Sequence, residues 1–429
     1  MFQPEVESIS RDRLIQLQDE RLRKVVKRVY QQVPFYREKL REAGIHPDGF
    51  AGIESLSRLP FTVKQDLRDH YPTGLFAVSS HEILRFHASS GTKGKPTIVG
   101  YTHSDLKNWA DICARSIVSA GGVPGDILHN AYGYGLFTGG LGLHAGGEKL
   151  GVGVIPASGG NRMRQMTLIE DLKPRGIAGT PSFLLSLGEM MRHHGKDPGK
   201  TSLQYGIFGA EPWTEEMRDE LEEMWGIDAV DIYGLSEVMG PGVAIECHEE
   251  KQGLHIFEDH FLVEVVDPKT GRSVKENETG ELVFTSLTKE ALPLIRYRTG
   301  DLASLITKPC SCGRTHIRMS RVKGRIDDML IIRGVNVFPS EVETVILKEP
   351  ALAPHYQLIV EKEGMLDVLT VKAELAKTKS PDEINALTLT LERRLKEVLQ
   401  VQAQVRLGRP GSIPRSEGKA VRIIDRHNP

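Results

Sequence analysis

Cysteine and net charge are both scarce in this sequence. Its 429 residues include four cysteines, and 55 Lys and Arg stand against 57 Asp and Glu, for a formal net charge of -2. Four cysteines are too few for a disulfide framework at this length. The balanced charge provides neither a basic surface for nucleic acid nor a polybasic segment for a membrane. We therefore expect the partners to be small molecules.

Long apolar runs are missing as well. No stretch reaches the roughly 18 uncharged apolar residues that a membrane-spanning helix needs. The N-terminal stretch MFQPEVESISRDRLIQLQDERLRKVV lacks the apolar core of a signal peptide. We therefore expect a cytoplasmic protein. Because the chain is longer than one hydrophobic core usually supports, we also expect two or more domains.

The first part of the chain has a helical pattern of apolar residues. From Arg11 to about Gly44 they recur at helical spacing among charges, at Leu14, Leu17, Leu22, Val25, Val29 and Tyr30. This spacing predicts amphipathic helices. Their apolar face is expected to pack on the body of the protein, and a homodimer contact is the alternative.

Three patterns follow one another along the rest of the chain. Short apolar runs alternate with helical stretches up to DAVDIYGLSE, as in βαβ units with a mostly parallel sheet. After about Ile256, FLVEVVDP and GELVFTSL are typical of antiparallel strands joined by a turn. From Asp327 a hairpin and a helix follow, and Ser380 and Glu383 fit a capping box. We predict an α/β fold, with a large N-terminal α/β domain (1–326) that contains a β-rich subdomain, and a small α+β C-terminal domain (327–429).

A segment rich in hydroxyls and glycine, HASSGTKGKPTIVGYTH, is suited to phosphate binding. Its hydroxyls and glycine amides can surround phosphate oxygens, and Lys93 or Lys95 can add charge. The order of residues is not that of a Walker loop, and a segment of this composition alone is more often a plain loop. The candidate phosphate-binding residues are Ser89, Ser90, Gly91, Thr92 and Gly94.

Two further motifs strengthen the interpretation of that segment as a phosphate-binding loop. YGLSE at 233–237 and YRTGD at 297–301 follow it in the order found in the AMP-forming ligase superfamily of acyl-CoA synthetases, luciferases and peptide-synthetase adenylation domains, which the chain resembles. The resemblance continues through 323–343 to IPRSEGKAVRIID at 413–425. Within the superfamily, AYGYGLFTGGLGLHAG, FGAEPW, LTKEALPLIRYRTGDL and DDMLIIRGVNVFPSEVE look like the phenylacetate-CoA ligase family.

The resemblance implies an enzyme that joins an aryl acid, such as phenylacetate, to coenzyme A with ATP and Mg²⁺. A carboxylate is a poor electrophile, so it is first converted to an acyl-adenylate. Two alternatives stay open: a related enzyme that acts on another acid or transfers AMP to a cofactor hydroxyl, and a nucleotide-binding regulator without activity. The presence of the catalytic positions named below argues against the regulator.

The resemblance also implies roles for individual residues around the nucleotide. Tyr233, followed by Gly234, is expected to stack on adenine, and the turn Gly209, Ala210, Glu211 and Pro212 to line the base. Asp301 is expected to accept both ribose hydroxyls. The alternatives are a core tyrosine and an ordinary turn aspartate.

Four charged or polar residues are implied in the chemistry and one in domain movement. Glu237 is expected to bind Mg²⁺, and Ser236 to contact the α-phosphate or the acyl carboxylate. Arg325 has the fork geometry suited to phosphate, and Lys419 resembles the adenylation lysine. Asp327 matches the hinge about which the C-terminal domain turns. One departure is the segment Gly334-Val335-Asn336, where many relatives carry Arg at the third position.

The acyl pocket and a second, metal-binding site complete the predictions. By resemblance Tyr132, Phe137 and Leu235 border the acyl group, and aromatic walls suit an aryl ring. The segment PCSCGRTH and the distant Cys247 and His255 together suggest a structural zinc site with ligands Cys247, His255, Cys310 and Cys312. His248 and His316 are alternative fourth ligands, and free buried thiols are the alternative to a metal.

Overall fold

The computed structural model of the chain describes the residues 1–89, 96–333, 335–363, 366–415 and 422–425. The helices predicted between Arg11 and about Gly44 are present as α2 (Arg11–Gln32) and α3 (Pro34–Glu42), and a short helix that was not predicted, α1 (Pro4–Glu7), precedes them. Buried Leu14, Leu22 and Val29 lie on one face of α2 and pack into the chain's own body. The prediction that these helices pack on the body of the protein is therefore confirmed, and a homodimer contact stays a prediction.

The middle of the chain forms a nine-stranded sheet that is covered by helices. Its helices are α4 (Lys64–Asp69), α5 (His103–Ser119), α6 (Thr138–Leu150), α7 (Arg162–Leu172), α8 (Pro181–His193) and α9 (Glu215–Trp225). A short hairpin of β1 (Arg85–Ala88) and β2 (Ile98–Tyr101) precedes it. The strands of the sheet are β3 (Ile127–Asn130), β4 (Gly153–Ile155), β5 (Gly176–Gly179), β6 (Tyr205–Gly209), β7 (Asp228–Leu235), β8 (Gly240–Ile245), β9 (Leu254–Ile256), β13 (Leu305–Ile306) and β14 (Arg318–Met319).

The predicted parallel arrangement is confirmed for the βαβ region, and the same sheet continues beyond that region with antiparallel strands. The strand order is β13-β14-β9-β8-β7-β6-β5-β3-β4. The pairs from β4 to β7 are parallel, as the βαβ pattern predicts, whereas those from β7 to β13 are antiparallel. The antiparallel half comes from short strands with direct connections or from segments distant in sequence, neither of which has a βαβ signature.

A second, four-stranded antiparallel sheet is the predicted β-rich part. Its order is β10-β11-β12-β15, with β10 (Phe261–Val266), β11 (Gly280–Ser286), β12 (Tyr297–Ala303) and β15 (Gly324–Arg325). The Asp267 carboxylate accepts from the amides of Lys269 and Thr270 at 3.0 and 2.7 Å and so forms the turn after β10.

The last part of the chain has its own sheet and its own core. Its elements are β16 (Leu330–Ile332), β17 (Val335–Val337), α10 (Pro339–Leu347), β18 (Leu352–Glu363), β19 (Leu366–Leu375), α11 (Pro381–Leu399), β20 (Ala403–Gly408) and β21 (Ile423–Asp425). The sheet order is β20-β19-β18-β21. A hydrophobic cluster between Ile332 and Val405 is separate from the two clusters of the preceding part. The predicted α/β fold with a smaller C-terminal α+β part is confirmed.

Local signals fix the ends of several helices. The Ser380 hydroxyl accepts from the Glu383 amide at 3.4 Å, and the Glu383 carboxylate accepts from the Ser380 amide at 2.8 Å. This reciprocal pair is the predicted capping box of α11. Five short 3₁₀ helices connect other elements, at Pro47–Gly49, Gly52–Arg58, Ser80–Glu82, Pro198–Lys200 and Ile326–Asp328. Across the described ranges, no helix combines the length and apolarity that crossing a membrane requires.

Candidate active site

A cleft of about 790 Å³ lies between the body of the protein and its C-terminal part. Residues at or just beyond the carboxyl ends of β3, β6 and β7 line one side, and the joint to the C-terminal part lines the other. The carboxyl ends of parallel strands meet at one edge, which is where ligands bind in open α/β sheets. A lobe of about 120 Å³ adjoins the cleft and shares several of its wall residues. The sequence-predicted residues that line one or both are Ser89, Tyr132, Phe137, Gly209, Ala210, Glu211, Pro212, Tyr233, Gly234, Leu235, Ser236, Glu237, Asp301, Arg325 and Asp327.

The aromatic wall of the cleft has one fixed and one accessible member. Tyr132 is buried, and its hydroxyl donates to the carbonyl of Ile207 at 3.5 Å. Phe137, by contrast, is 39% exposed and stands at the start of α6. A Cβ at Gly139 would lie 2.5 Å from the Phe137 ring, so glycine is needed there to let the ring lie across the helix start. The accessible ring is the one that can contact a substrate.

Ser236 and Glu237 follow β7 and face the cleft. The Ser236 hydroxyl is 3.1 Å from the hydroxyl of Thr138, which begins α6. Glu237 is only 7% exposed, and its carboxylate makes no hydrogen bond with any residue that the structure describes. A carboxylate without such partners at a cleft wall is available to a hard cation.

Tyr233, Asp301 and Arg325 form a hydrogen-bonded group in the smaller lobe. The Tyr233 hydroxyl donates to Asp301 Oδ2 at 2.6 Å, and Arg325 donates to the other carboxylate oxygen. Burial raises the pKa of Asp301, while Arg325 and Tyr233 act in the opposite direction and favour its ionised form. The Tyr233 ring stacks on Phe284, with centroids 6.0 Å apart. The group holds Asp301 at a fixed position in the lobe.

The turn after β6 lies beside that group. Ala210 has a φ of 69°, and the Glu211 carboxylate accepts from the amide of Ser182 at 2.8 Å. A Cβ at Gly209 would lie 2.2 Å from the carbonyl oxygen of Ile232, so the two neighbouring strands approach too closely for a larger residue. The turn that is predicted to line the base therefore forms part of the wall of the lobe.

Arg325 also links the lobe to the joint between the two parts of the chain. Its guanidinium lies 3.4 Å from Asp327 Oδ2 and 3.9 Å from Asp328 Oδ2. Asp327 and the following Asp328, Met329 and Leu330 line the cleft. The predicted hinge residue therefore lies within reach of both the site and the C-terminal part.

Some predicted residues lie outside the described ranges. These are Ser90, Gly91, Thr92 and Gly94 of the phosphate segment, with Lys93 and Lys95, and Lys419. The flanks of the phosphate segment are described: the Ser89 amide donates to the carbonyl of Thr97 at 3.0 Å, and Ser89 lines the cleft. The segment therefore connects two paired strands, β1 and β2, and Ser89 at its start lies at the cleft.

Sequence reasoning missed several lining residues. Lys64 and Arg68, on α4, add two positive charges to the cleft, and Ile423 on β21 lines it from the C-terminal side. The sequence around α4, VKQDLRD, is that of an ordinary surface helix, so no local signal distinguishes these two cations. Thr138 could have been found, because it directly follows the aromatic Phe137 in the pocket motif.

The four predicted zinc ligands come together away from this cleft. Cys247 follows β8, His255 lies on β9, and Cys310 and Cys312 lie in the loop between β13 and β14. Their ligand atoms all lie within 4.8 Å of one another. Cys247 Sγ is 3.6 Å from Cys310 Sγ, and Cys312 Sγ is 3.4 Å from His255 Nε2. All four cysteines of the chain are free.

The geometry distinguishes His255 from the alternative ligands. Its Nδ1 lies 3.3 Å from the carbonyl oxygen of His316, so that nitrogen is the donor and Nε2 faces the sulfurs. The His248 side chain is 41% exposed and pairs with Glu249, and His316 contributes its carbonyl instead of its ring. His255 is the histidine that the structure places with the three cysteines.

Comparisons with known proteins identify the family to which the chain belongs. The family model described as AMP-binding enzyme matches residues 16–288, and the one described as AMP-binding enzyme C-terminal domain matches residues 334–427. The phenylacetate-coenzyme A ligase of Thermus thermophilus is 53% identical over 99% of both chains. That of Escherichia coli is 52% identical over 99% of this chain and 97% of its own. The chain belongs to the phenylacetate-coenzyme A ligase family.

Solved structures that resemble this family member include one ligase in two states of its reaction. 2-Hydroxyisobutyryl-CoA ligase in the postadenylation state, in complex with 2-HIB-AMP, superposes with a TM-score of 0.93 at 29% identity, over 99% of this chain and 92% of the other. The same ligase with 2-HIB-AMP and CoA in the thioesterification state gives a TM-score of 0.74 at 30% identity, over 98% and 91%. The present arrangement is thus similar to the postadenylation state.

Proposed function

We propose that this chain activates phenylacetate with ATP and transfers the acyl group to coenzyme A through an acyl-adenylate, releasing diphosphate and AMP. Acid-thiol ligation with ATP and CoA as substrates follows from membership of the family. The observation that carries the preference for an aryl acid is the cleft, in which accessible Phe137 and buried Tyr132 adjoin the lobe of Asp301 and Arg325. An aryl ring and a nucleotide can therefore lie side by side.

The first half-reaction joins the acid to the α-phosphate. A carboxylate oxygen attacks the α-phosphorus, the bond to the bridging oxygen breaks, and diphosphate leaves with the electron pair. We assign Asp301 to the ribose hydroxyls, and Tyr233 and the turn at Gly209 to the base, because all of them line the smaller lobe. Lys64, Arg68 and Arg325 contribute positive charge at the cleft, which favours binding of the triphosphate.

Glu237 fits the role of a magnesium ligand. Its carboxylate lines the cleft and is free of hydrogen bonds from the described residues, and carboxylates are the side chains that Mg²⁺ uses alongside substrate phosphates. When bound there, the ion would neutralise phosphate charge. The Ser236 hydroxyl, which lies 3.1 Å from that of Thr138, is expected to donate to the carboxylate of the acid or to the α-phosphate.

In the second half-reaction the CoA sulfur attacks the acyl carbon, the bond between that carbon and the bridging phosphate oxygen breaks, AMP leaves with the electron pair of that bond, and the thiol proton is released. We assign residues 327–429 to a domain that turns at Asp327 between the two steps. Support comes from the separate hydrophobic core of this part. It also comes from the TM-scores of 0.93 and 0.74 against two states of one similar ligase. Lys419 would serve the first step only.

The cluster of Cys247, His255, Cys310 and Cys312 is proposed to hold a structural Zn²⁺. A tetrahedral site with Zn–S of about 2.3 Å and Zn–N of about 2.0 Å requires edges of about 3.8 Å between sulfurs and about 3.5 Å between sulfur and nitrogen. The separations of 3.6 and 3.4 Å are close to both. A disulfide would need about 2.05 Å between sulfurs. The residues therefore fit the ion.

The decisive experiment is a diphosphate-release screen over aryl and alkyl acids, with and without coenzyme A. We expect phenylacetate to give the highest kcat/KM and to yield AMP and a thioester when coenzyme A is present. Release with a fatty acid in preference to aryl acids would contradict the substrate assignment. Adenylylation of an alcohol without any thioester would favour AMP transfer to a cofactor hydroxyl, and no release with any acid would favour a regulator. A cytoplasmic location and a homodimer stay predictions of the sequence.

A further inference from the structure

A carboxylate of the N-terminal body contacts a histidine and an arginine of the C-terminal part. Both oxygens of Glu189, on α8, lie 3.0 Å from His355 Nε2 on β18. Glu189 Oε2 also lies 3.5 Å from Arg415 Nε. The Glu189 side chain is 32% exposed and that of His355 is 8% exposed, so water screens the contact only in part.

Arg415 is held rigidly within the C-terminal part. Its guanidinium donates to both oxygens of Glu374 at 2.8 and 2.9 Å, and that carboxylate also accepts from the amides of Gly411 and Ile413. Although burial raises the pKa of Glu374, Arg415 and the two amides lower it to about 2. The bidentate pair uses the terminal nitrogens of Arg415 and leaves Nε directed at Glu189. Movement of Arg415 therefore requires movement of its domain.

The position of Arg415 in the chain connects this contact to the chemistry. Arg415 precedes Lys419 by four residues, which span at most about 14 Å of extended chain. Ile423, four residues after Lys419, lines the cleft and pairs with Leu358 of β18. Lys419 is thus flanked in the sequence by two described residues, Arg415, which Glu189 contacts, and Ile423, which lies at the wall of the cleft.

We propose that Glu189 is a positioning residue for adenylation, which holds the C-terminal domain through His355 and Arg415 in its present orientation and so favours the first half-reaction over the second. The inference rests on the proposed domain movement. An enzyme that alternates between two orientations in each turnover needs them near balance. A contact present in only one of them then sets the fraction of molecules competent for that step.

A second contact lies at the same interface and contributes less. Lys348, on α10, lies 3.1 Å from Glu216 of α9, but the Lys348 side chain is 63% exposed. Exposed pairs of this kind contribute little because the charges remain solvated. Glu189 is distinguished by meeting two donors, one of which is nearly buried.

The test compares Glu189→Gln with a matched control in both half-reactions. We expect Glu189→Gln to slow acyl-adenylate formation about 10-fold, the scale of one charge-assisted hydrogen bond, and to leave thioester formation from supplied phenylacetyl-adenylate and coenzyme A unchanged. The control is Glu170→Gln, which removes an ion pair with Lys196 on the surface of the body alone. It should leave both rates unchanged.

A double variant separates positioning from a general structural effect. Because Glu189 acts through His355 and Arg415, adding His355→Gln to Glu189→Gln should slow adenylation less than the product of the two single effects. Equal losses in both half-reactions, no loss in either, or fully multiplicative effects would overturn the proposal. If Glu189→Gln fails to fold, Glu189→Asp, which keeps the charge at a longer distance, should show the same split. Failure of the wild-type chain to form an adenylate would instead contradict the proposed function.

Discussion

The cleft and the Cys/His cluster are both assembled from residues far apart in the sequence, but their polar groups are arranged in opposite ways. In the cluster, the four ligand atoms lie within 4.8 Å of one another, and three of the four residues are buried. In the cleft, Glu237, Ser236 and Arg325 border a space of about 790 Å³ that two parts of the chain enclose. A closed set of ligands suits an ion that stays, whereas an open set suits substrates that enter and leave. Variants that affect one region and spare the other test this difference.

The largest expected effect concerns the cleft alone. Lys419→Ala should slow acyl-adenylate formation by roughly 100- to 1,000-fold, because a charge aimed at the transition state is lost. Thioester formation from supplied phenylacetyl-adenylate should persist, and the melting temperature should not change. Single-turnover assays of each step, together with calorimetry, provide the measurements.

Asp327→Pro is the counterpart of that variant. Proline fixes φ near −65° and stiffens the joint. Adenylation should persist and transfer to coenzyme A should fail. Equal loss of both steps in Lys419→Ala and in Asp327→Pro would refute the alternation of domains.

A variant of the cluster should affect stability and spare the cleft. Purified protein is expected to contain about one zinc per chain, and Cys310→Ser should lower the melting temperature because a bound structural ion contributes folding free energy. The same loop anchors the N-terminal segment, since Arg314 pairs with Glu7 at 2.8 Å. Proteolysis near residue 10 should therefore accelerate in the variant, while the KM for ATP stays the same. Metal analysis that finds no zinc would remove the site, and Cys113→Ser, outside the cluster, is the control.

A buried lysine offers a third comparison, because it belongs neither to the lining of the cleft nor to the Cys/His cluster. Lys289 Nζ lies 3.3 Å from the centroid of the Tyr101 ring, and burial lowers the Lys289 pKa to about 7. The unfolded chain therefore binds more protons between pH 7 and about 10.5, so this group makes stability rise with pH in that window. Lys289→Met should remove a rise of about 3 kcal/mol between pH 7 and 9.5, at about 1.4 kcal/mol per pH unit. Chemical denaturation of both proteins across these pH values measures it, and parallel curves would show that Lys289 is charged in the fold.

The smallest expected effect sharpens the assignment within the cleft. Phe137→Ala should raise the KM for phenylacetate about 10-fold, the scale of one lost apolar contact in a pocket, with little change in the KM for ATP. Leu136→Ala is the control, since Leu136 adjoins Phe137 in the sequence but its side chain is 64% exposed and does not line the cleft. Equal increases for both substrates would place Phe137 outside the acyl site.

The sequence by itself determined what depends on neighbours along the chain. The capping box of Ser380 and Glu383 and the strands of the βαβ region arise from side chains a few positions apart, and local patterns specify such elements. The motifs around Tyr233 and Asp301 also predicted which segments meet, although they could not give the hydrogen bond between the two residues.

Tertiary structure decided the contacts that depend on how distant segments pair. The antiparallel extension by β8, β9, β14 and β13 places Arg318 opposite His255, and this register brings Cys310 and Cys312 to Cys247. Pairing between strands depends on topology, so spacing in the sequence left His248 and His316 as open alternatives to His255. The same holds for Glu189, a glutamate in an ordinary helix whose partners became visible only when the C-terminal part was placed against it. A charge gains its role from the groups that folding brings within a few ångströms, because the interaction of partly exposed charges falls off within about a Debye length.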